Sequence, residues 1–281
     1  MKVVDSSNTI NLLDQEAFET ANGLWKGKKP PYVEVGVIRN TNFTNSGRID
    51  LTDVARLPVE EKKLKTRTLQ PGDIILERSG GGPKQPVGRV VYFNESDGKW
   101  SFSNFTSMIR VRDRKRFNSK YIFYILLHFY DSGATDPLQR RTTGIRNLDW
   151  KAYKESVSVP LWPLPEQYRI VAVLSLVQRA IEEQERLIQL TTELKKALMH
   201  KLFTEGTRGE PQKQTEIGPI PESWEMVEIA DIFKFTSGKT KPRDTKPAPI
   251  DENQIPVYGG NGVLGYSSQF MLEESTLILG R

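Results

Sequence analysis

Pro163-Leu164-Pro165-Glu166-Gln167-Tyr168-Arg169-Ile170 opens the stretch that decides the architecture. Proline fixes φ, and the residue before each proline avoids the helical region, so residues 160–165 form a stiff, extended lead-in. Pro165 suits the first turn of a helix, where its missing N–H costs nothing. From Glu166 to about Phe203 there is neither proline nor glycine. Apolar residues recur there at three- and four-residue steps, at Ile170, Leu174, Val177, Ile181, Ile188, Leu194, Leu198 and Leu202, with Gln184 and Thr191 interrupting. A helix of ~38 residues extends roughly 57 Å at 1.5 Å per residue. Such a length, with a near-heptad apolar seam and charges on the other faces, predicts a coiled-coil helix. Its seam is the candidate partner-helix interface.

On the N-terminal side, residues 1–30 read as an irregular opening, and short strands follow from Tyr32 to about Val111. Tyr32 to Ile38 is valine-rich, Pro71-Gly72-Asp73 is a turn signal leading into Ile74-Ile75-Leu76, and Val87 to Phe93 is another β-type run. In Phe105 to Arg112 the alternation predicts Ile109 and Val111 facing a core, with Met108, Arg110 and Arg112 facing away. Asn118 or Ser119 is placed to cap a helix through residues 121–127 that closes near Gly133. On the C-terminal side, Gly206 and Gly209 end the long helix, and residues 215–224 form a Pro/Gly connector into a second strand-rich segment. Thr276-Leu277-Ile278-Leu279-Gly280-Arg281 parallels Asp73-Ile74-Ile75-Leu76-Glu77-Arg78, which predicts a strand there and the start of a tandem repeat. The predicted fold class is α+β, with a first domain over 1–160, a long helix over 161–205, and a connector and partial second domain over 206–281.

Composition narrows the function classes. The 281 residues hold no cysteine and two histidines, His128 and His200, which removes thiolate catalysis, disulfides and Cys/His metal sites. The net charge of +5 permits a polyanionic partner without proving one. No apolar run approaches the ~18–20 residues of a membrane span, and the N-terminus lacks the apolar core of a signal peptide. The absence of cysteine sits easily with a cytoplasmic location. Carboxylates are plentiful, but none stands in a spacing that names an acid/base pair. Asp73 reads as a turn residue, His128 as part of a packed helix, and His200 as a surface residue near a helix C-terminus.

Three segments concentrate hydrogen-bond donors. Gly80-Gly81-Gly82-Pro83-Lys84-Gln85 looks like a phosphate loop but lacks the Gly-Lys-Ser/Thr ending and runs into β-type residues. With Arg78, Ser79, Lys84, Gln85 and Arg89 around it, the turn presents long donors suited to DNA bases and phosphates. A solvated hairpin tip is the plain alternative. Arg39, Asn40 and Asn42 sit at the polar tip of a strand, where turn hydrogen bonds alone would explain them. Arg140, Arg141, Thr142, Thr143 and Arg146 form the densest basic, hydroxyl-bearing stretch, and a charge run is usually a solvated face. Arg110 joins the DNA-facing candidates through its outward position. A coiled-coil interaction or regulatory protein with an incidental basic surface stays open at this point.

The Pro163–Ile170 opening with the helix behind it is similar to the central spacer of type I restriction-modification specificity subunits. Thr215-Glu216-Ile217-Gly218-Pro219-Ile220-Pro221-Glu222-Ser223-Trp224 resembles the start of their second target-recognition domain, and Leu69-Gln70-Pro71-Gly72-Asp73-Ile74-Ile75-Leu76 the middle of the first. The resemblance implies a non-catalytic subunit whose recognition domains each read half of a split double-stranded DNA site. In that family paired helices set the distance between the halves, and methyltransferase subunits dock on them. Motor-nuclease subunits join for restriction. S-adenosylmethionine, ATP and magnesium belong to those partners, so no cofactor is expected in this chain. A full-length member continues through its second domain to a second long helix, so the resemblance implies a chain truncated within that domain. A homodimer through the long helix is a further expectation. The first domain departs from the pattern in lacking an opening like Trp224-Glu225-Met226-Val227-Glu228-Ile229.

Overall fold

The computed structural model describes residues 8–24, 27, 29–82, 85–142, 145–238, 240–250, 254–270, 272 and 276–279, with backbone alone at 141 and 142. The chain divides into two compact units, Met1–Leu194 and Lys195–Arg281. In the first, β1 (Thr9–Ile10), β2 (Phe18–Asn22) and β3 (Tyr32–Ile38) precede a short 3-10 turn at Asn40–Asn42. Then come β4 (Ala55–Glu60), α1 (Glu61–Leu64), β5 (Ile74–Glu77), β6 (Ser79–Gly81), β7 (Val90–Tyr92), β8 (Trp100–Phe102) and β9 (Thr106–Val111). Helix α2 (Ser119–Asp131) leads to β10 (Gln139–Thr142), β11 (Ile145–Leu148), α3 (Trp150–Ser156), β12 (Val159–Pro160) and α4 (Leu164–Glu205).

The central sheet runs in the order β2-β9-β5-β7, all antiparallel. Both of its faces are covered, because successive residues of a strand point to opposite sides. Ile74, Leu76, Val90 and Ile109 pack with Tyr121, Ile122 and Leu126 of α2. Ile75, Val91 and Met108 pack on the other side with Ile38, Phe93 and Phe102, the flank formed by the β4-β3-β8 sheet. This explains the unbroken Ile74-Ile75-Leu76 run and corrects one expectation: Met108 does not face away but lies fully buried in the second layer. Asn118 caps α2, its Oδ1 accepting from the backbone N–H groups of Lys120 and Tyr121, and Gly133 beyond it has φ +76°. His128 belongs to this packed helix, as expected, with its own side chain on the exposed face.

Helix α4 spans 42 residues. Its first turns belong to the domain before it: Gln167 is fully buried, and Ile170, expected in the partner-facing stripe, packs against the domain core instead. Tyr124 and Ser175 share a hydroxyl hydrogen bond of 3.1 Å. Arg48 reaches Glu182 and Glu185 at 3.3 and 3.5 Å. Leu174, Val177, Ile181, Ile188, Leu194, Leu198 and Leu202 are exposed.

In the second unit β13 (Gln212–Thr215) and β14 (Gly218–Pro221) form a hairpin, so the expected connector is itself paired structure. Phe203 meets Trp224 edge-on, with ring centroids 6.4 Å apart. After α5 (Ile229–Ile232), β15 (Ile255–Gly259) and β16 (Gly262–Ser267) make a second hairpin. Residues 276–279 carry no strand, in contrast to the expectation for that segment, while Gly280 and Arg281 lie outside the described residues.

Candidate nucleic-acid interface

The polar stretch 139–148 folds into a hairpin, β10 against β11, and β11 pairs in turn with β6. The register sets Arg140 opposite Asn147, Arg141 opposite Arg146, Arg146 opposite Gly81 and Asn147 opposite Ser79. Two segments some sixty residues apart in sequence therefore form one small surface sheet. Gln139 braces it, accepting from Arg146 Nη1 and from the backbone N–H of Val87, both at 3.4 Å. The third segment joins through Asn40, whose Nδ2 donates to the Ser79 carbonyl at 3.3 Å. All three donor-rich segments converge on one region of the first unit.

Within that region the predicted residues divide by what their side chains already bind. Arg140 is 75% exposed and paired with Asp149. Hydrogen bonds from the Ala152 N–H and the nearby Arg140 hold the Asp149 carboxyl below its ordinary range. Gln85 is exposed, and Ser79 and Arg146 are half-buried. Arg39 is partly exposed, 3.7 Å from Asp53. Arg78 donates to Asn22 Oδ1 at 2.6 Å and lies over the Trp150 ring at 5.6 Å, and burial lowers its pKa. Lys84 and Thr143 lie outside the described residues, and only the backbone of Arg141 is described.

Three other predicted residues are engaged inside the protein. Asn42 is buried, accepting from the Arg39 N–H and donating to the carbonyls of Asp50 and Asp53. Arg89 forks onto the buried Glu77, with Nε 2.8 Å from Oε2 and Nη2 3.0 Å from Oε1, and also donates to the carbonyls of Asn40 and Phe43. Arg110 grips the fully buried Asp73 at 2.7 and 2.6 Å, and this hydrogen bonding raises its pKa. The outward-facing reading of Arg110 is thereby corrected: its side chain is only 15% exposed. Asp73 also keeps its turn role, accepting from the Gln70 N–H at 2.7 Å.

Asn22, Glu77 and Trp150 are the participants that the sequence did not single out. Asn22 receives Arg78 and Ser107, and Trp150 carries both Arg78 and, at 5.4 Å, Lys154. Among the described residues no group of three or more His, Cys, Asp or Glu side chains is placed to hold a metal ion. None of the helices described is long and apolar enough to cross a membrane.

A family model described as the type I restriction modification DNA specificity domain matches residues 10–192. A Methanocaldococcus jannaschii protein assigned as the MjaX specificity subunit of a type I restriction enzyme is 25% identical over 225 residues, covering 79% of this chain and 52% of that protein. The MjaVIII specificity subunit of the same organism is 33% identical over 136 residues, 48% of this chain and 31% of that protein. The chain thus spans about half the length, or less, of the curated relatives it matches. Among solved structures, the S subunit of a type I restriction-modification system from M. genitalium superposes with a TM-score of 0.51 at 16% identity. That superposition covers 93% of this chain and 62% of the other, and the likeness is one of fold: a mixed α+β architecture with a long helix. Since the family match takes in the central sheet, the donor-bearing hairpin and most of the long helix, the chain belongs to the type I restriction-modification DNA specificity family.

Proposed function

We propose that this chain is a non-catalytic specificity subunit that reads one half of a bipartite double-stranded DNA site. The observation that carries the reading is the convergence of the 39–42 turn, β6 and the paired strands β10 and β11 in one region. Arg39, Arg140 and Arg146 supply cationic donors there, while Arg89 and Asn42 hold the surface in shape. The exposed seam of α4, at Leu174, Val177, Ile181 and Ile188, is the docking surface for methyltransferase subunits, and without them for a second copy of the chain. Motor-nuclease subunits would join the same assembly in the cytoplasm. S-adenosylmethionine, ATP and magnesium would serve those partners, so calorimetry on this chain alone is expected to show no micromolar binding of S-adenosylmethionine or ATP.

The test is DNA binding by the chain assembled with its methyltransferase subunits, measured against salt. Each phosphate contact contributes about 0.9 to the slope of log affinity against log salt. Replacing Arg39, Arg140 and Arg146 by alanine should weaken binding and flatten that slope by roughly one to three such steps. Unchanged affinity and slope would reject the interface and favour an interaction protein with an incidental basic surface.

A further inference from the structure

The side-chain amide of Asn40 has a fixed polarity. Its Nδ2 lies 3.1 Å from Glu77 Oε1 and 3.3 Å from the Ser79 carbonyl oxygen. A carboxylate and a peptide carbonyl accept hydrogen bonds and cannot donate them. Exchanging the amide end for end would set Oδ1 against two acceptors, so the nitrogen faces inward with both hydrogens engaged. Oδ1 has no hydrogen-bond partner among the described residues, nor is it one of their buried, unpartnered polar atoms. It is an acceptor that solvent can reach.

Glu77 imposes this arrangement from inside the domain. It is 1% exposed, and Arg89 holds both of its oxygens in place. Gly80 makes the approach of the amide feasible: a Cβ at that position would stand 2.5 Å from Asn40 Nδ2, and its φ is +106°. The glycine turn thus serves close packing against a polar side chain, not a phosphate cradle.

We infer that Asn40 reads a base edge as an acceptor only, pairing with an exocyclic amine, and that Glu77 is the positioning residue that sets this polarity. The inference rests on the DNA-reading function proposed above. Asparagine usually contacts adenine with one donor and one acceptor, at N7 and N6. Here the donors are already taken, which leaves the amine of adenine N6 or cytosine N4 in the major groove. Along the contacted strand, such a group prefers adenine or cytosine over guanine or thymine.

The experiment compares the assembled methyltransferase complex carrying wild-type chain, Asn40→Ala or Glu77→Gln on half-sites varied one position at a time. Asn40→Ala keeps the turn tied down, because Arg89 still holds the carbonyls of residues 40 and 43 at 3.1 and 3.2 Å. It should flatten discrimination of adenine and cytosine against guanine and thymine at a single position, by about tenfold, with the salt slope unchanged. Glu77→Gln offers an amide hydrogen where Asn40 now meets an acceptor, and should relax the same position. If the glutamine variant does not fold, the alanine variant decides alone. Uniform weakening at every position, or an unaltered preference, would overturn the acceptor role. A wild-type complex with no sequence preference at all would instead sink the DNA-reading function beneath it.

Discussion

Gln167, in the first turns of the long helix, accepts a 2.8 Å hydrogen bond at Oε1 from the backbone N–H of Asn118, the residue that caps α2. Its Nε2 donates to the carbonyls of Arg116 and Trp162 at 2.7 and 2.8 Å. One fully buried side chain therefore closes the turn before α2, the lead-in to α4 and α4 itself into a single joint. This gives the Pro-Leu-Pro-Glu-Gln opening a physical meaning: the prolines straighten the approach, and the glutamine locks it.

Gln167→Leu keeps the bulk and removes three part-buried hydrogen bonds, to the Asn118 N–H and the Arg116 and Trp162 carbonyls. Each such bond contributes about 0.5–1.5 kcal/mol, so the variant should lose roughly 2–4 kcal/mol of stability. Tyr124→Phe, which removes the hydroxyl contact to Ser175, should cost no more than about 1 kcal/mol. Urea denaturation of the two variants checks the ranking. Equal effects would mean that Gln167 is not the principal tie.

Arg89 and Arg140 should behave in opposite ways, although both were expected on the DNA. Arg89→Ala abandons a buried carboxylate and should destabilise the fold by about 3–5 kcal/mol. Arg140→Ala removes an exposed ion pair with Asp149, which should leave stability nearly unchanged because solvent screens it, and should act instead on the salt dependence of DNA binding. Thermal melting together with a salt titration separates the two. A stable Arg89→Ala variant with a flattened salt slope would restore Arg89 to the interface.

Gly80→Ala should displace Asn40 and strain a backbone at φ +106°. The expected cost is about 1–2 kcal/mol, with a loss of preference for the specific site and little change in non-specific DNA binding. Competition between specific and random duplexes measures it.

Alkaline stability should fall in a defined window. Burial lifts Tyr121, which donates its hydroxyl to the Pro160 carbonyl, to about 12, and burial pushes Tyr153 upward as well. In the unfolded chain tyrosine titrates near pH 10. The folded state therefore holds protons that the unfolded state releases. These two groups leave stability intact below about pH 10 and erode it as pH rises through about 12. Tyrosinate absorbance followed alongside circular dichroism should show the last tyrosines ionising as helix is lost. Ionisation of every tyrosine near pH 10 without unfolding would contradict this.

The exposed seam of α4 predicts association. Val177→Asp, Ile181→Asp and Ile188→Asp together should prevent docking of methyltransferase subunits and of a second copy. Apolar burial contributes about 25 cal/mol per Å², and charges would replace it. Light scattering over a dilution series reads the self-association. A wild-type chain that stays folded and monomeric at high concentration, and does not bind those subunits, would show that the seam is no interface.

The features legible in the sequence were those whose cause is local. Tyr32–Ile38 alternates as a strand, Asn118 caps a helix by its own chemistry, and the 164–205 helix declares itself by period and by lack of breakers. Strand β2 escaped notice because Phe-Glu-Thr-Ala-Asn holds one large apolar residue and is fixed by pairing with β9, far along the chain. The hairpin 139–148 escaped because a surface sheet of polar residues has no apolar alternation to show. Donor types around the site were readable, yet their occupancy was not. Glu77 and Asp73, which engage Arg89 and Arg110, lie 12 and 37 residues away from them.

Covering the central sheet on both faces separates two kinds of heritable change. Substitutions in β5, β7 or β9 meet close packing on either side and are purged through misfolding. The turn at 39–42, the glycine turn and the 139–148 hairpin carry little of that core, so if they form the proposed interface, variation there would be filtered by target choice more than by misfolding. On the proposed function, drift through these segments would change the DNA target without unfolding the chain. At position 40 that freedom is narrower, because Glu77 and Gly80 must change in step with it.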